Sequence, residues 1–163
     1  MGRASRQKQK HPPEPTPAER LRRRAGEIFP GEKTLVVSTP EGLPKMSDVL
    51  IEFAQPLLAE ARTESEYRGA FALASVAWNL ALMPFLKRLK RLGELVKRAD
   101  RAAADIALDL IRRKHELFAD DKRWVLDFEI SSRRGGWGHI NVLWTIDPEE
   151  LDDELLERFL KSN

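Results

Sequence analysis

The apolar positions of this chain are densest in residues 69–86, GAFALASVAWNLALMPFL, where eighteen consecutive residues carry no charge. A third of all residues are charged, so this segment stands out from the rest of the sequence. A helix that is apolar on every side belongs in a protein core or in a membrane. A membrane span needs about twenty strongly apolar residues, whereas this segment is rich in alanine and includes Ser75 and Asn79. We therefore predict a buried central helix and no membrane span.

Local signals mark both ends of this helix. Thr63 followed by Glu66 has the spacing of a capping box, in which each side chain bonds the backbone N–H of the other residue. Pro84 disfavours helical geometry in the residue before it, so the helix should end near Met83. Asn79, inside the apolar run, needs hydrogen-bond partners if it is buried. It is predicted to be a structural amide or, alternatively, a site residue.

The flanking segments have apolar residues three and four positions apart, which is typical of amphipathic helices. Three such helices are predicted, at 47–61, 84–98 and 100–118. Together with the central helix 63–83 they form a predicted bundle of about four main helices. A shorter helix is predicted from Thr16, which forms a second capping box with Glu19, to about Ile28.

After residue 121 the apolar period changes from 3.6 to 2, which is typical of half-buried strands. The alternation covers 123–130 and 138–146 and is interrupted by glycines, so it predicts an antiparallel β-hairpin. Its apolar face should pack on the helices, since a lone hairpin is only marginally stable. The expected inward residues of the first strand are Trp124, Leu126, Phe128 and Ile130. The predicted fold class is α+β, mainly α.

The chain is predicted to have three parts. Residues 1–15 are basic and rich in proline and should form a disordered arm. Residues 16–46 hold the short helix, a candidate strand at 33–38 and a linker. Residues 47–163 form the bundle, the hairpin and an acidic C-terminal helix from Asp147 to about Leu160.

Composition narrows the function classes. The net charge is +2, and the chain contains no cysteine. Disulfides, thiolate metal sites and cysteine nucleophiles are therefore excluded. The N-terminus has no apolar segment typical of a secretory signal. These features favour a cytoplasmic protein.

The strongest functional signal is a set of basic residues on the arm, on the short helix and on helix 85–98. The set includes Arg22, Arg23, Arg24, Lys87, Arg88, Lys90, Arg91, Lys97 and Arg98. Such a surface could contact nucleic-acid phosphates, an acidic protein or anionic lipid. It could equally be a solvated helix face, or be neutralised by the acidic helix of the same chain. No nucleic-acid-binding motif accompanies it.

A second candidate site is formed by Asp127, Glu129 and His139, which should share the outer face of the hairpin. Carboxylates beside a histidine can bind a metal ion or transfer protons, which would suit a small metal-dependent hydrolase. However, any hairpin with a polar outer face produces this arrangement, and the spacing fits no metal motif. The sequence therefore predicts no metal and no cofactor.

Three segments, SDVLIEFAQPLL, AWNLALMP and RKHELFADDKRWVLDFEI, resemble a widespread bacterial protein family of short helical chains that end in a strand pair. The resemblance covers residues 47–146. It implies the fold but no activity or site residue, because no function is established for that family. Helix 85–98 is richer in Lys and Arg than the family pattern.

Together these features favour a non-enzymatic cytoplasmic binding or adaptor protein, whose basic arm and helix 85–98 engage nucleic acid or an acidic protein. The metal-dependent hydrolase is the alternative function. A homodimer formed through an exposed apolar helix face is a third, structural interpretation.

Overall fold

A computed structural model describes residues 14–28, 42–99, 101–133 and 136–146. Several sequence predictions lie outside these residues: most of the basic arm, the candidate strand at 33–38 and the acidic C-terminal helix. The predicted fold class is confirmed, since helices are followed by an antiparallel strand pair. In chain order the elements are α1 Pro17–Ile28, α2 Met46–Leu58, α3 Glu64–Leu82, α4 Phe85–Arg98, α5 Arg101–Leu117, β1 Trp124–Arg133 and β2 Gly136–Thr145.

Helix α3 is the centre of the bundle, as predicted for the apolar run. It packs against α5, α2, β1 and α4. Its N-terminus has the predicted capping box between Thr63 and Glu66, and its C-cap is Met83. Trp78 is fully buried and lies edge-on to Phe53 of α2, with ring centroids 5.1 Å apart. No helix in the described ranges is long and apolar enough to cross a membrane.

Two side chains near the end of α3 join the bundle to the hairpin. The Asn79 amide donates to the carbonyl oxygen of Val125 at 2.7 Å, and its oxygen accepts from the Val125 N–H at 2.9 Å. The Trp78 indole N–H donates to the carbonyl oxygen of Arg123 at 2.7 Å. The prediction that Asn79 is a satisfied structural amide is thus confirmed.

The hairpin differs from its prediction in length and in one side-chain direction. The strands extend to Arg133 and Gly136, so part of the predicted loop is paired. The register shifts between Val125 and Asp127, which leaves Leu126 as the extra residue of a bulge. A bulge reverses the alternation locally. Leu126 therefore packs in a second cluster with residues of α1, not in the main core as predicted.

Helix α1 covers the face of the hairpin that the sequence predicts to be solvated. Its Leu21 and Ala25 are buried against Leu126 of β1 and Leu143 of β2. The hairpin is therefore a middle layer between α1 and the helical bundle. The strand pair is thus covered on both of its faces. An alternation of apolar and polar residues predicts that the polar face is solvated, so it could not show that α1 covers this face.

Lys114 of α5 is a buried cation that the sequence pattern does not reveal. Its Nζ donates to the carbonyl oxygens of Phe118 and Asp121 at 2.5 and 2.8 Å. It also lies 4.3 Å from the centroid of the Trp78 ring, a cation–π arrangement. Burial lowers the pKa of Lys114 to about 8, against the opposing effect of Asp121.

Asn79→Ala should lower the free energy of unfolding by about 2–4 kcal/mol, because it leaves the buried N–H and carbonyl of Val125 without partners. Urea unfolding monitored by tryptophan fluorescence measures this loss. Gln55→Ala, which truncates an exposed amide on α2, is the control and should change stability by less than about 0.5 kcal/mol. Equal effects of the two substitutions would contradict the structural role of Asn79.

The pKa of Lys114 predicts a pH dependence of stability. Between pH 8 and its usual value of 10.5 the unfolded chain binds more protons at this residue than the folded protein does. Stability should therefore rise with pH across this window by about 1–3 kcal/mol relative to Lys114→Met. Urea unfolding of both proteins from pH 7 to 10 gives the difference, with Lys97→Met on the exposed side of α4 as the control. A difference that stays constant with pH would refute the prediction.

Candidate interaction surface

Helix α4 lies on the surface of the bundle and has no buried residue. It packs against α5 and α3, and its Leu92 and Leu95 are partly buried against the main core. The sequence predicts a single apolar stripe on this helix that packs inward. That prediction is wrong for most of the stripe, because only the side with Leu92 and Leu95 meets the bundle.

Four large apolar side chains of α4 face solvent, and we call them the apolar strip. They are Phe85, Leu86, Leu89 and Val96, with exposed fractions of 68%, 77%, 56% and 47%. A helix turns by about 100° per residue, so these four project into one sector beside the side that packs on the bundle. Clustered exposed apolar side chains mark a surface for interaction, whereas single ones are common and mean little.

Four exposed basic residues lie next to the apolar strip, and we call them the cationic strip: Lys87, Lys90, Lys97 and Arg98. By the same rotation they occupy the sector beyond the apolar strip, farther from the bundle. Helix α4 therefore presents three sides: one that packs on the protein, one that is apolar and exposed, and one that is basic and exposed. A surface of this kind suits a ligand that is itself apolar on one side and acidic on the other.

Two arginines of the predicted basic set act inside the fold instead. Arg88 donates to the carbonyl oxygens of Leu80, Ala81 and Met83, each at 3.0 Å. It thereby bonds carbonyl oxygens at the end of α3, where a helix runs out of backbone donors. The Leu80 oxygen also accepts from the Met83 N–H. Arg91 is mostly buried and pairs with Glu94 at 2.8 Å.

Arg88 also touches His115 of α5, with 3.3 Å between its Nη1 and the imidazole Nε2. The pKa of His115 is lowered, first by burial and then by the positive charges of Arg88 and Lys114. An arginine N–H can only donate, so the neutral imidazole accepts through Nε2. This contact fixes the start of α4 against the end of α5.

The basic residues of α1 also divide into arginines that pair within the fold and arginines that are exposed. Arg24 donates to Asp127 at 2.5 Å and to Glu129 at 3.0 Å, and Arg20 also pairs with Glu129 at 3.0 Å. Burial opposes the charge of Arg24, but its two carboxylate partners outweigh this effect and raise its pKa. Arg22 and Arg23 remain exposed. Because α1 packs on the hairpin and α4 on α3 and α5, the two basic sets lie on different layers.

The carboxylates of the proposed hydrolase site are therefore engaged by arginines. Glu129 is buried under α1, contrary to its predicted exposure, and Asp127 is partly buried. His139 is exposed and pairs in register with Ser131, two residues beyond Glu129. In the described ranges, no group of three metal-binding side chains is placed to hold an ion. The hydrolase stays a sequence-based hypothesis, and this geometry favours a structural role for both acids.

His139 borders two open clefts beside the hairpin. One, of about 400 Å³, lies between α2 and the strands and includes Tyr67 and Arg62. The other, of about 340 Å³, lies beside α1 and includes Lys45. Neither cleft joins His139 to the Asp127 carboxylate, which is not among the lining residues of either.

The chain matches no protein-family model, no curated protein and no solved structure.

Arg24→Met should destabilise the packing of α1 on the hairpin, because it removes the partner of Asp127 and one partner of buried Glu129. We expect a loss of about 1–2 kcal/mol, since the Arg24 side chain is partly exposed and solvent screens the pair. Amide hydrogen exchange should show lost protection in α1 and unchanged protection in α3.

Arg23→Met is the matched control for Arg24→Met, because Arg23 is the exposed neighbour on the same helix. It should change stability by less than about 0.5 kcal/mol. If both substitutions have the same effect, the ion pairs with the hairpin do not hold α1.

Proposed function

We propose that the protein is a non-enzymatic binding or adaptor protein whose helix α4 docks an acidic, amphipathic segment of a partner protein. The observation that carries this proposal is the side-by-side exposure of the apolar strip and the cationic strip on one helix. An amphipathic helix of the partner would cover the apolar strip and place its carboxylates against the cationic strip. The two helices would pack side by side through their apolar positions, which recur at three- and four-residue spacing.

The exposed apolar strip favours a protein partner over a nucleic acid. Phosphate contacts require basic side chains and gain little from leucine or valine. Arg88 and Arg91, two of the predicted phosphate contacts, are occupied within the fold. Burial of Phe85, Leu86 and Leu89, in contrast, would contribute about 1.5–3 kcal/mol for each side chain.

Charge also disfavours a second copy of the chain as the partner. An isologous interface brings the same patch of both subunits together. Two α4 helices packed through their apolar strips would bring two sets of basic side chains to one interface. Like charges placed opposite one another weaken association.

The cellular compartment and the family of the protein are also proposals. The absence of cysteine supports a cytoplasmic protein. The resemblance of residues 47–146 supports membership of the bacterial family of helical chains described above. The richer basic content of α4 suggests that acidic-partner binding is particular to this chain.

The proposal predicts binding of a synthetic helical peptide with leucines at three- and four-residue spacing and glutamates on its other side. Fluorescence anisotropy with the full chain measures the dissociation constant. The double variant Leu86→Ser/Leu89→Ser should weaken binding by more than about tenfold, because it removes two of the four exposed apolar side chains of the strip. Lys87→Glu/Lys90→Glu should weaken binding as well, and salt should weaken binding of the unaltered protein.

Two control variants match these changes. Leu108→Ser alters an exposed leucine of α5, and Arg23→Glu reverses an exposed charge of α1. Neither should change the affinity. Tighter retention on single-stranded RNA or DNA than on the peptide, with a steep salt dependence, would replace the protein partner with a nucleic acid. Binding that ignores both α4 variants would refute the proposal.

A further inference from the structure

The residues that follow β2 have the chemistry that the α4 surface requires. The described chain ends at Ile146, and seventeen residues remain, 147–163. Residues 147–157 contain seven Asp or Glu and no Lys or Arg. Large apolar residues recur at three- and four-residue spacing from position 151 to position 160. They are Leu151, Leu155, Leu156, Phe159 and Leu160. This segment therefore has both an apolar pattern and a negative charge.

The segment begins at the end of the protein where α3 ends. Thr145 pairs with Trp124 and Trp144 pairs with Val125, so the end of β2 lies beside the start of β1. Val125 is bonded to Asn79, which precedes the start of α4 by only six residues. Ile146 is itself exposed. The chain thus leaves the hairpin on the side where the last turn of α3 lies, and α4 follows α3 in the chain.

The length of the segment also fits. Helix α4 has fourteen residues and is about 21 Å long at 1.5 Å per residue. Residues 147–160 are also fourteen in number and would extend equally far as a helix. A segment that reaches the first turn of α4 from this end of the hairpin would run in the same direction as α4.

We infer that residues 147–160 dock on the α4 surface of their own chain, with leucines on the apolar strip and carboxylates beside the cationic strip. The contact covers the most exposed apolar patch of the described structure. It is intramolecular, so the effective concentration of the segment is high, and an external ligand must displace it. The segment acts as a built-in competitor of the acidic partner, a role that rests on the proposed function.

The absence of cysteine allows a direct test of this contact. Leu89→Cys places one thiol on the apolar strip of the full chain, and Leu108→Cys places one on an exposed position of α5. The rate of reaction with a maleimide reports the exposure of each thiol. We expect the thiol at position 89 to react about tenfold more slowly than the control, which corresponds to a docked population of about 90%.

Neutralising the segment should release it. The triple variant Asp153→Asn/Glu154→Gln/Glu157→Gln keeps its size and removes three carboxylates. In this background the thiol at position 89 should react as fast as the thiol at position 108. The same variant, with Leu89 retained, should bind the synthetic acidic peptide about tenfold more tightly than the unaltered chain does.

The two proposals fail in different ways. Equal reaction rates at position 89 with and without the three carboxylates, together with undiminished peptide binding, overturn the docking of the segment and leave the proposed function standing. Protection of position 89 without peptide binding by either protein supports the docking and overturns the proposed function. Protection that disappears on dilution assigns the contact to a second copy of the chain and overturns the intramolecular docking.

Discussion

The hydrogen bonds between the end of α3 and the start of β1 are the contact on which the rest of the structure depends. Asn79 satisfies both backbone groups of Val125, and Trp78 satisfies the carbonyl of Arg123. These hydrogen bonds are buried. Loss of one partner leaves the other without a partner and without water, which costs more free energy than the loss of a solvent-exposed hydrogen bond. They fix the hairpin against the helical layer beside its bulge. The position of the hairpin then decides which of its faces α1 can cover.

The placement of α1 and α4 explains how similar basic sequences acquire different roles. Arg24 lies above the carboxylates of the hairpin and becomes part of the packing between layers. Arg88 lies above the end of α3 and bonds its last carbonyl oxygens. Lys87 and Lys90 lie on the far side of α4 and stay exposed. A basic residue is therefore available to a partner only when the fold offers it no acceptor.

Helix α4 is the element on which the proposed binding function rests. Asp127 and Glu129, the acids proposed for catalysis, form ion pairs with arginines of α1. Among the described residues, His139 belongs to no group of three metal-binding side chains. The exposed apolar strip, in contrast, keeps side chains in water that folding normally buries. Covering such a surface with another apolar surface lowers the free energy. The acidic C-terminal segment has the composition, length and starting point to do so.

The sequence by itself determined the helices, the hairpin and their order, because these depend on local periodicity and on capping residues such as Thr63 and Glu66. It also indicated that Asn79 is structural, since a buried amide requires partners. It could not show that Leu126 is the extra residue of a bulge, or that Glu129 lies under α1. Only the tertiary structure decided these points, and it also separated the exposed apolar strip of α4 from the side that packs inward. The physical reason is that periodicity records which residues avoid water, whereas packing decides which of them find a partner within the chain.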